Sequence, residues 1–216
     1  MGKEFALTRL LKSDLYGITA EEYSLGRSNI ETAALMIQAG IGVIQYREKE
    51  KDDRRQYREC LKIREMTKKA GVAFIVNDRV DIALLTDADG IHLGQDDLPL
   101  ENVKQLVGDR MLVGLSTHSP AQAEAAARTG ADYIGVGPLF ATATKKNVCD
   151  PVGLEYLDYV VKNVRLPFVA IGGIKEHNIA EVRRRGARCM ALVTEIVGAP
   201  DIQAKVRALR TALAAR

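Results

Sequence analysis

The chain has 216 residues, 47% of them hydrophobic, and is therefore long enough to bury a substantial core in one or two domains. Its formal net charge is only +3, from 31 basic and 28 acidic residues, which favours neither nucleic acid nor a membrane surface as a partner. The N-terminal stretch lacks the apolar core of a signal peptide, and no apolar run approaches the roughly 18 residues of a membrane span. We therefore expect a cytoplasmic protein.

The three cysteines, Cys60, Cys149 and Cys189, are far apart in the sequence and have no CxxC spacing. The three histidines do not cluster with them. This pattern favours neither a disulfide framework nor a structural zinc site. We interpret the cysteines as inert thiols in a reducing compartment.

Short apolar runs alternate with longer segments of helical period along the whole chain. The eight runs, in order, are LYGIT (15–19), GVIQYR (42–47), VAFIVN (72–77), GIHL (90–93), MLVGLS (111–116), DYIGVG (132–137), PFVAIG (167–172) and CMALVT (189–194). Several helical segments end at a glycine that can take the left-handed conformation, namely Gly40, Gly71, Gly130 and Gly186.

Eight strand–helix units of about 25 residues, with strands apolar along their length, predict a parallel sheet covered by helices. We expect an α/β protein with a single (β/α)₈ TIM barrel over residues 1–216. An open doubly wound sheet is the alternative, although it usually has fewer strands. Residues 1–13 precede the first strand and form an extension to which we assign no role.

Polar residues follow the second strand in the sequence QYREK. In a (β/α)₈ barrel the active site lies at the carboxyl ends of the strands, so residues just after each apolar run are candidates. Gln45, Arg47 and Lys49 occupy alternate positions, which share a face in an extended segment. A charged surface turn is the alternative, but alternation directly out of a buried strand favours a binding site.

Two aspartates follow the third and fourth strands. Asp78 comes directly after Asn77, and Asp97 lies in the sequence GQDD. Mg²⁺ is usually held by one or two carboxylates together with substrate phosphates, so the pair predicts a Mg²⁺ site. Helix capping explains either aspartate alone but explains the pair less well. Asp97 is preferred over Asp96, although spacing alone does not choose between them.

The fifth and sixth strands contribute hydroxyl groups and a cation. Ser116 ends the fifth strand, and His118 has no acidic partner visible in the sequence, so we do not propose a Ser-His-Asp triad. The loop after the sixth strand carries Thr142, Thr144 and Lys145. A solvated loop is the alternative interpretation of this stretch.

The last two strands end in sequences that suit a phosphate. Barrels of this kind frequently bind phosphate through the loops after strands seven and eight, using backbone N–H groups. Gly172-Gly173 and Val193-Thr194 occupy these positions. Cations, candidate metal ligands and a phosphate-binding backbone on one rim together predict a site for polyanionic ligands with Mg²⁺.

These stretches together resemble the thiamine-phosphate synthase family. The resemblance covers about residues 14–200 and is carried by QYREK, VNDRVDIAL, ADGIHLGQDD, GLSTHS, DYIGVGPLFATATK and AIGGI. It implies a (β/α)₈ barrel that joins 4-amino-5-hydroxymethyl-2-methylpyrimidine diphosphate to a thiazole phosphate. The products are thiamine phosphate and diphosphate. The resemblance also implies a dissociative reaction, for which no nucleophilic serine or cysteine is required.

The resemblance also implies roles for individual residues. Asp78 and Asp97 would ligate Mg²⁺. The pyrimidine diphosphate would contact Gln45, Tyr46, Arg47, Glu48, Lys49, Asn77, Ser116 and Lys145, and the thiazole phosphate would contact Thr142, Thr144, Gly173, Val193 and Thr194. The departing negative charge would be stabilised by Mg²⁺ and by four catalytic residues, Arg47, Lys49, Ser116 and Lys145.

The chain departs from the family pattern at two positions, and two other functions remain open. Ala141 stands where the family often has proline, and Thr194 where it often has serine. The alternatives are a thiazole tautomerase of related fold and a non-catalytic sensor of phosphorylated thiazole. Neither would need the two metal-binding aspartates or the cationic residues that bind a diphosphate. We expect small-molecule partners, no nucleic acid and no membrane, and we leave a homo-oligomer open.

Overall fold

Eight parallel strands form a closed barrel in which each strand pairs with its neighbours in chain order. The computed structural model describes residues 2–142 and 150–214. The strands are β1 Leu15–Ile18, β2 Val43–Tyr46, β3 Ala73–Asn77, β4 Gly90–Leu93, β5 Leu112–Thr117, β6 Tyr133–Val136, β7 Phe168–Ile171 and β8 Cys189–Leu192. Each predicted apolar run matches one strand, with β5 extending one residue past its run to Thr117, and the predicted (β/α)₈ barrel is confirmed.

Helices surround the barrel. They are α1 Lys3–Lys12, α2 Asn29–Gln38, α3 Asp53–Ala70, α4 Val80–Leu85, α5 Leu100–Val107, α6 Pro120–Thr129, α7 Gly153–Asn163, α8 Ile179–Arg184, α9 Thr194–Val197 and α10 Ile202–Ala214, with short 3₁₀ helices at Glu21–Tyr23 and Gly108–Arg110. Ser119 caps the start of α6, and Gly71 and Gly130 end α3 and α6 in the left-handed conformation. Within residues 2–142 and 150–214, no helix is long and apolar enough to cross a membrane.

The apolar side chains form two layers. The larger layer fills the space between the strands and the surrounding helices. The smaller layer fills the inside of the barrel and includes Tyr16, Ile18, Tyr133 and Val169, because alternate residues of each strand point inward. This inner layer supports the cavity described below.

Helix α1 closes the amino-terminal end of the barrel. Its buried residues Ala6 and Leu10 belong to the inner apolar layer, and the helix contacts β2, β3 and β5. Lys3 Nζ lies 2.9 Å from Oδ1 of Asp132, the residue just before β6. Most of the N-terminal extension, for which no role could be predicted from the sequence, is therefore a helix that covers the inner apolar layer.

Replacing Leu10 by alanine is expected to lower the free energy of unfolding by about 2–3 kcal/mol, because it removes buried methyl groups from a packed interior. Leu11 is the matched control, since it is 59% exposed whereas Leu10 is 3% exposed. Leu11→Ala should change the unfolding free energy by less than about 0.5 kcal/mol. Urea denaturation of both variants measures the difference, and equal effects would show that α1 does not close the barrel.

Candidate active site

A cavity of about 330 Å³ opens at the carboxyl ends of the strands. Its deeper wall is formed by the inner apolar layer, and its rim by the loops that follow the strands. The site residues predicted from the sequence that line it are Gln45, Arg47, Asn77, Ser116, Thr142, Gly173, Val193 and Thr194. The structure thus brings residues from six of the strand ends into one cavity.

The residues at the end of β2 alternate between the cavity and the helix layer. Gln45 and Arg47 line the cavity. The Tyr46 hydroxyl instead donates to Glu59 Oε2 at 2.8 Å, and Glu48 Oε2 accepts from an amide group on α2. The structure does not bring Tyr46 and Glu48 to the cavity. Tyr46 ends β2 on the face opposite to Gln45, because successive side chains of a strand point to opposite faces, and Glu48 follows in the loop, where α2 holds its carboxylate.

Three carboxylates gather behind the loop that follows β2. One oxygen from each of Glu21, Glu48 and Glu59 lies within 4.8 Å of the others, and the Lys51 ammonium bonds to Glu21 and Glu59. Burial lowers the pKa of Lys51, but the hydrogen bonds to these carboxylates outweigh it and the pKa is raised. Lys51 therefore supplies the positive charge of this cluster, and the cluster fixes the loop.

Arg47 presents its guanidinium to the cavity from a fixed backbone. The backbone N–H of Arg47 donates to Thr19 Oγ1 at 3.0 Å. Within the described part of the chain, its buried Nε has no hydrogen-bond partner. Because a buried N–H donor needs an acceptor, an anionic ligand in the cavity would satisfy this group.

The two predicted metal ligands meet in the loops after β3 and β4, although they and Lys49 are not among the residues that line the cavity. Asp78 has a left-handed φ of 59° and forms an ion pair with Lys49. Asp97 Oδ2 accepts from the Gly94 N–H at 2.6 Å. Burial and the adjacent Asp78 carboxyl raise the pKa of Asp97. Asp96 is exposed, so the geometry favours Asp97 as the partner of Asp78.

This pair fits a divalent cation. Burial and the neighbouring Asp78 carboxyl both raise the pKa of Asp97, and a bound dication relieves the repulsion between the two carboxylates. Hard carboxylate oxygens beside the opening of a cavity suit Mg²⁺, which also takes oxygens from substrate phosphates. Lys49 places an ammonium group beside Asp78 at the same point.

A chain of hydrogen bonds crosses the inside of the barrel from Gln45 to Ser116. Gln45 Nε2 donates to the Tyr16 hydroxyl at 2.9 Å, and the Tyr16 and Tyr133 hydroxyls are 3.2 Å apart. The Tyr133 hydroxyl lies 2.9 Å from His92 Nδ1, and His92 Nε2 lies 2.9 Å from Ser116 Oγ. Two predicted site residues are therefore the ends of one network.

Sequence reasoning missed the three central members of this chain. Tyr16, His92 and Tyr133 lie inside strands, whereas most of the residues predicted from the sequence end a strand or follow one. A signal was present, because His92 is a polar residue within the apolar run GIHL. Space for the chain comes from Gly114, where a Cβ would lie 2.2 Å from Tyr133 Cζ and 2.7 Å from His92 Nδ1.

The loops after β6 and β7 pack backbone against backbone. Phe140 N–H donates to the Gly172 carbonyl at 3.0 Å, and a Cβ on Gly173 would lie 2.6 Å from the Ala141 carbonyl oxygen. Gly172 and Gly173 both have left-handed φ angles, 95° and 65°. These glycines are required by the close approach of the two loops, and they also expose backbone to the cavity.

Two charged residues at this end of the cavity were not predicted. Lys175 and Glu195 line the cavity, with Lys175 Nζ 3.4 Å from Glu195 Oε2. Burial raises the pKa of Glu195, but the Glu176 N–H and the ammonium of Lys205 outweigh it, so the pKa is lowered. Because Lys205 also balances Glu195, Lys175 can give its positive charge to a ligand.

The loop after β6 is described only as far as Thr142. Thr144 and Lys145 lie outside the described residues, as does Cys149. His118 lines the cavity, and its Nδ1 is hydrogen-bonded to the Gly137 carbonyl. This bond gives His118 a structural partner, in agreement with the absence of an acidic partner in the sequence.

Comparisons with known proteins agree on one family. The family model described as thiamine monophosphate synthase matches residues 15–196. Thiamine-phosphate synthase of Pelotomaculum thermopropionicum is 74% identical over 210 residues, covering 97% of this chain and 96% of that protein. The protein of the same name from Lawsonia intracellularis is 54% identical over 203 residues, 94% of each chain.

A solved structure supports the same assignment. The thiamine phosphate pyrophosphorylase from Pyrococcus furiosus superposes with a TM-score of 0.87 at 34% identity, covering 96% of this chain and 98% of that one. Sequence and structure therefore agree along nearly the whole length. The chain belongs to the thiamine-phosphate synthase family.

Proposed function

We propose that the protein binds two substrates in this cavity, 4-amino-5-hydroxymethyl-2-methylpyrimidine diphosphate and 4-methyl-5-(2-phosphooxyethyl)thiazole in its carboxylated or aromatic form. It joins them to give thiamine phosphate and diphosphate. Family membership makes the chain a thiamine-phosphate synthase, a transferase of thiamine biosynthesis. The observation that carries the detailed proposal is the separation of two polar ends in one cavity. Arg47 and Asn77 line one end, with the Lys49–Asp78 ion pair and Asp97 in the adjoining loops, and backbone at Gly173 lines the other.

The first end suits the pyrimidine diphosphate. The amide groups of Gln45 and Asn77 line the cavity and can read the nitrogen atoms and amino group of a pyrimidine. Arg47, Lys49 and Ser116 contact the diphosphate in this proposal. Tyr46 and Glu48 support β2 from behind, and Lys145 keeps its sequence-based role as a diphosphate contact.

The second end suits the thiazole phosphate. Gly173, Val193 and Thr194 line it, and their backbone N–H groups can donate to phosphate oxygens. Thr142 and Thr144 face the thiazole ring in this proposal. Lys175 adds a cation that was not foreseen from the sequence.

Asp78 and Asp97 would hold Mg²⁺, which when bound neutralises part of the diphosphate charge. Because the pair lies beside Lys49, the ion and the ammonium would act on the same end of the substrate. We propose that the protein works in the cytoplasm on these small-molecule substrates.

The proposed chemistry is dissociative. The bond between the methylene carbon and the diphosphate oxygen breaks with its electron pair on the oxygen, and the electron-rich aminopyrimidine stabilises the resulting carbocation. The thiazole nitrogen then forms the new C–N bond. Arg47 and Lys49 stabilise the departing charge, and apolar wall residues such as Ile18, Val169 and Ile171 exclude water from the cation.

The alternatives use only part of this site. A thiazole tautomerase or a sensor of phosphorylated thiazole would need the end around Gly173 and Thr194. Neither would need the arrangement of Arg47 with the Asp78–Asp97 pair. Arg47 and Gly173 line the same cavity, and Asp78 of the Asp78–Asp97 pair directly follows Asn77 of its wall, which supports the synthase.

A secondary isotope effect tests the dissociative step. With deuterium at the methylene carbon, we expect a clearly normal effect on kcat/KM, because that carbon becomes trigonal as the diphosphate leaves. Deuterium on the ring methyl group is the control and should give an effect close to unity. A methylene effect as small as that of the control would contradict a carbocation.

A further inference from the structure

The chain Gln45–Tyr16–Tyr133–His92–Ser116 is largely sealed from solvent. Gln45, Tyr16 and Tyr133 are 3%, 2% and 0% exposed. Burial raises the pKa of both tyrosines, so their hydroxyls keep their hydrogens. Each of these hydrogens therefore needs an acceptor, and both tyrosines lie in the wall of the cavity.

The direction of the chain is fixed at its Gln45 end. The Gln45 amide nitrogen can only donate, so the Tyr16 oxygen accepts from it. The hydrogen of Tyr16 then points to the Tyr133 oxygen at 3.2 Å. If the chain ran the other way, Tyr133 would donate to Tyr16, and the Tyr16 hydrogen would have to point into the cavity, although Tyr16 is only 2% exposed.

The same direction sets the tautomer of His92. Because the Tyr133 oxygen accepts from Tyr16, the Tyr133 hydrogen points to His92 Nδ1 at 2.9 Å. This ring nitrogen is therefore an acceptor. In the neutral imidazole the ring hydrogen is then on Nε2. It donates to Ser116 Oγ, also at 2.9 Å. The Ser116 hydrogen can then be donated to a ligand in the cavity, which Ser116 lines.

This direction decides between two roles for the Ser116–His92 pair. Where a histidine activates a serine nucleophile, the ring nitrogen that faces the hydroxyl accepts its proton, and a carboxylate holds the other nitrogen. Here the nitrogen that faces Ser116 carries a hydrogen, and a tyrosine hydroxyl holds the other. The pair therefore cannot activate Ser116 and instead presents a hydrogen-bond donor.

We propose that Tyr16, Tyr133 and His92 form a one-way hydrogen-bond chain that orients Ser116 as a donor to the leaving diphosphate, with Tyr133 as the positioning residue at its centre. The last step rests on the proposed function, in which Ser116 contacts the diphosphate. The chain also couples the two substrate contacts, because Gln45 at one end faces the pyrimidine. The residue that contacts the pyrimidine ring and the residue that contacts the leaving diphosphate would thus be fixed relative to each other.

Nitrogen NMR of the histidine side chains tests the direction of this hydrogen-bond chain without any substrate. The protein has only three histidines, and the His92 signals are assigned by their loss in His92→Gln. We expect wild-type His92 to be the neutral Nε2–H tautomer at neutral pH. In Tyr133→Phe, Nδ1 loses its donor and the Nδ1–H tautomer should gain population. A wild-type Nδ1–H tautomer, or a doubly protonated ring, would overturn the proposal.

Kinetics of Tyr133→Phe test the consequence for Ser116. We expect kcat to fall about tenfold, the size that follows from losing the group that orients one donor. Tyr156→Phe is the matched control, because the Tyr156 hydroxyl is also buried and donates to Thr117 Oγ1 at 2.7 Å outside the cavity. It should retain kcat within about twofold. Equal kcat values in the two variants would overturn the positioning role of Tyr133.

Diphosphate binding separates this proposal from the proposed function. Calorimetric titration with inorganic diphosphate and Mg²⁺ should show about tenfold weaker binding to Ser116→Ala than to the wild type. Unchanged affinity, together with the Nε2–H tautomer, would overturn the diphosphate contact of Ser116. The reaction itself is judged separately, by the formation of thiamine phosphate.

Discussion

Replacing Asp97 by asparagine is expected to lower kcat by ~10²–10³ and to remove most of the response of the rate to Mg²⁺, the loss that follows when a stabiliser of developing charge is removed. Asparagine keeps an oxygen that can accept from the Gly94 N–H, so the turn at 94–97 should survive. The lost property is the negative charge beside Asp78. The measurement is the initial rate as a function of Mg²⁺ concentration.

The neighbouring residue provides the control for this prediction. Asp96 is exposed, whereas Asp97 is half-buried with a pKa raised by burial and by the Asp78 carboxyl. Asp96→Asn should therefore keep the wild-type rate and the wild-type Mg²⁺ response. If Asp97→Asn also keeps both, Asp97 only holds the turn and the metal site lies elsewhere. Asp78→Asn should resemble Asp97→Asn, and asparagine tolerates the left-handed φ of 59° at that position.

Replacing Gly173 by alanine is expected to raise the KM for the thiazole phosphate at least about tenfold and to lower the unfolding free energy by about 3–4 kcal/mol. Two effects add here. The φ of 65° is unfavourable for alanine, and the new Cβ would lie 2.6 Å from the Ala141 carbonyl oxygen. The loop after β6 would have to move away from the loop after β7, which opens the proposed phosphate site.

Gly130→Ala separates the two effects. Gly130 has a φ of 83° at the end of α6, and apart from its chain neighbours no atom of the described residues lies within 4 Å of the position of a Cβ. It should lose about 1–2 kcal/mol of stability and keep both KM values. Steady-state kinetics and urea denaturation of the two variants give the comparison. Equal destabilisation and an unchanged KM in Gly173→Ala would show that this backbone does not shape the thiazole end.

The barrel could be predicted from the sequence because its strands are buried on both sides. Such strands are apolar along their length, so runs such as VAFIVN and PFVAIG are visible without any partner. The position of α1 could not be predicted in this way. Ala6 and Leu10 show that the helix has a buried side, but only the closed barrel shows that this side covers its amino-terminal end.

The rim of the site could be predicted in part. Gln45, Arg47 and Ser116 lie where strand alternation and the end of each strand place them, in the cavity. The resemblance of QYREK also places Tyr46 and Glu48 in the expected site, whereas the pleat of β2 turns Tyr46 toward α3 and the loop after β2 carries Glu48 to α2. The choice between Asp96 and Asp97 needed the turn geometry.

The network inside the barrel could not be predicted from the order of residues. Tyr16, His92 and Tyr133 come from β1, β4 and β6, and only the closed barrel brings their polar atoms within hydrogen-bond distance. Gly114 is part of the same arrangement, since it leaves the space that the Tyr133 ring fills. The roles of Thr144 and Lys145 stay predictions from the sequence.

The most direct test of the whole account is the release of diphosphate from 4-amino-5-hydroxymethyl-2-methylpyrimidine diphosphate, measured with and without the thiazole phosphate and Mg²⁺. We predict that release requires all three components and that one thiamine phosphate forms for each diphosphate released. Binding of the thiazole phosphate without any release of diphosphate would contradict the account. The cavity would then be a phosphate-binding site of a tautomerase or a sensor.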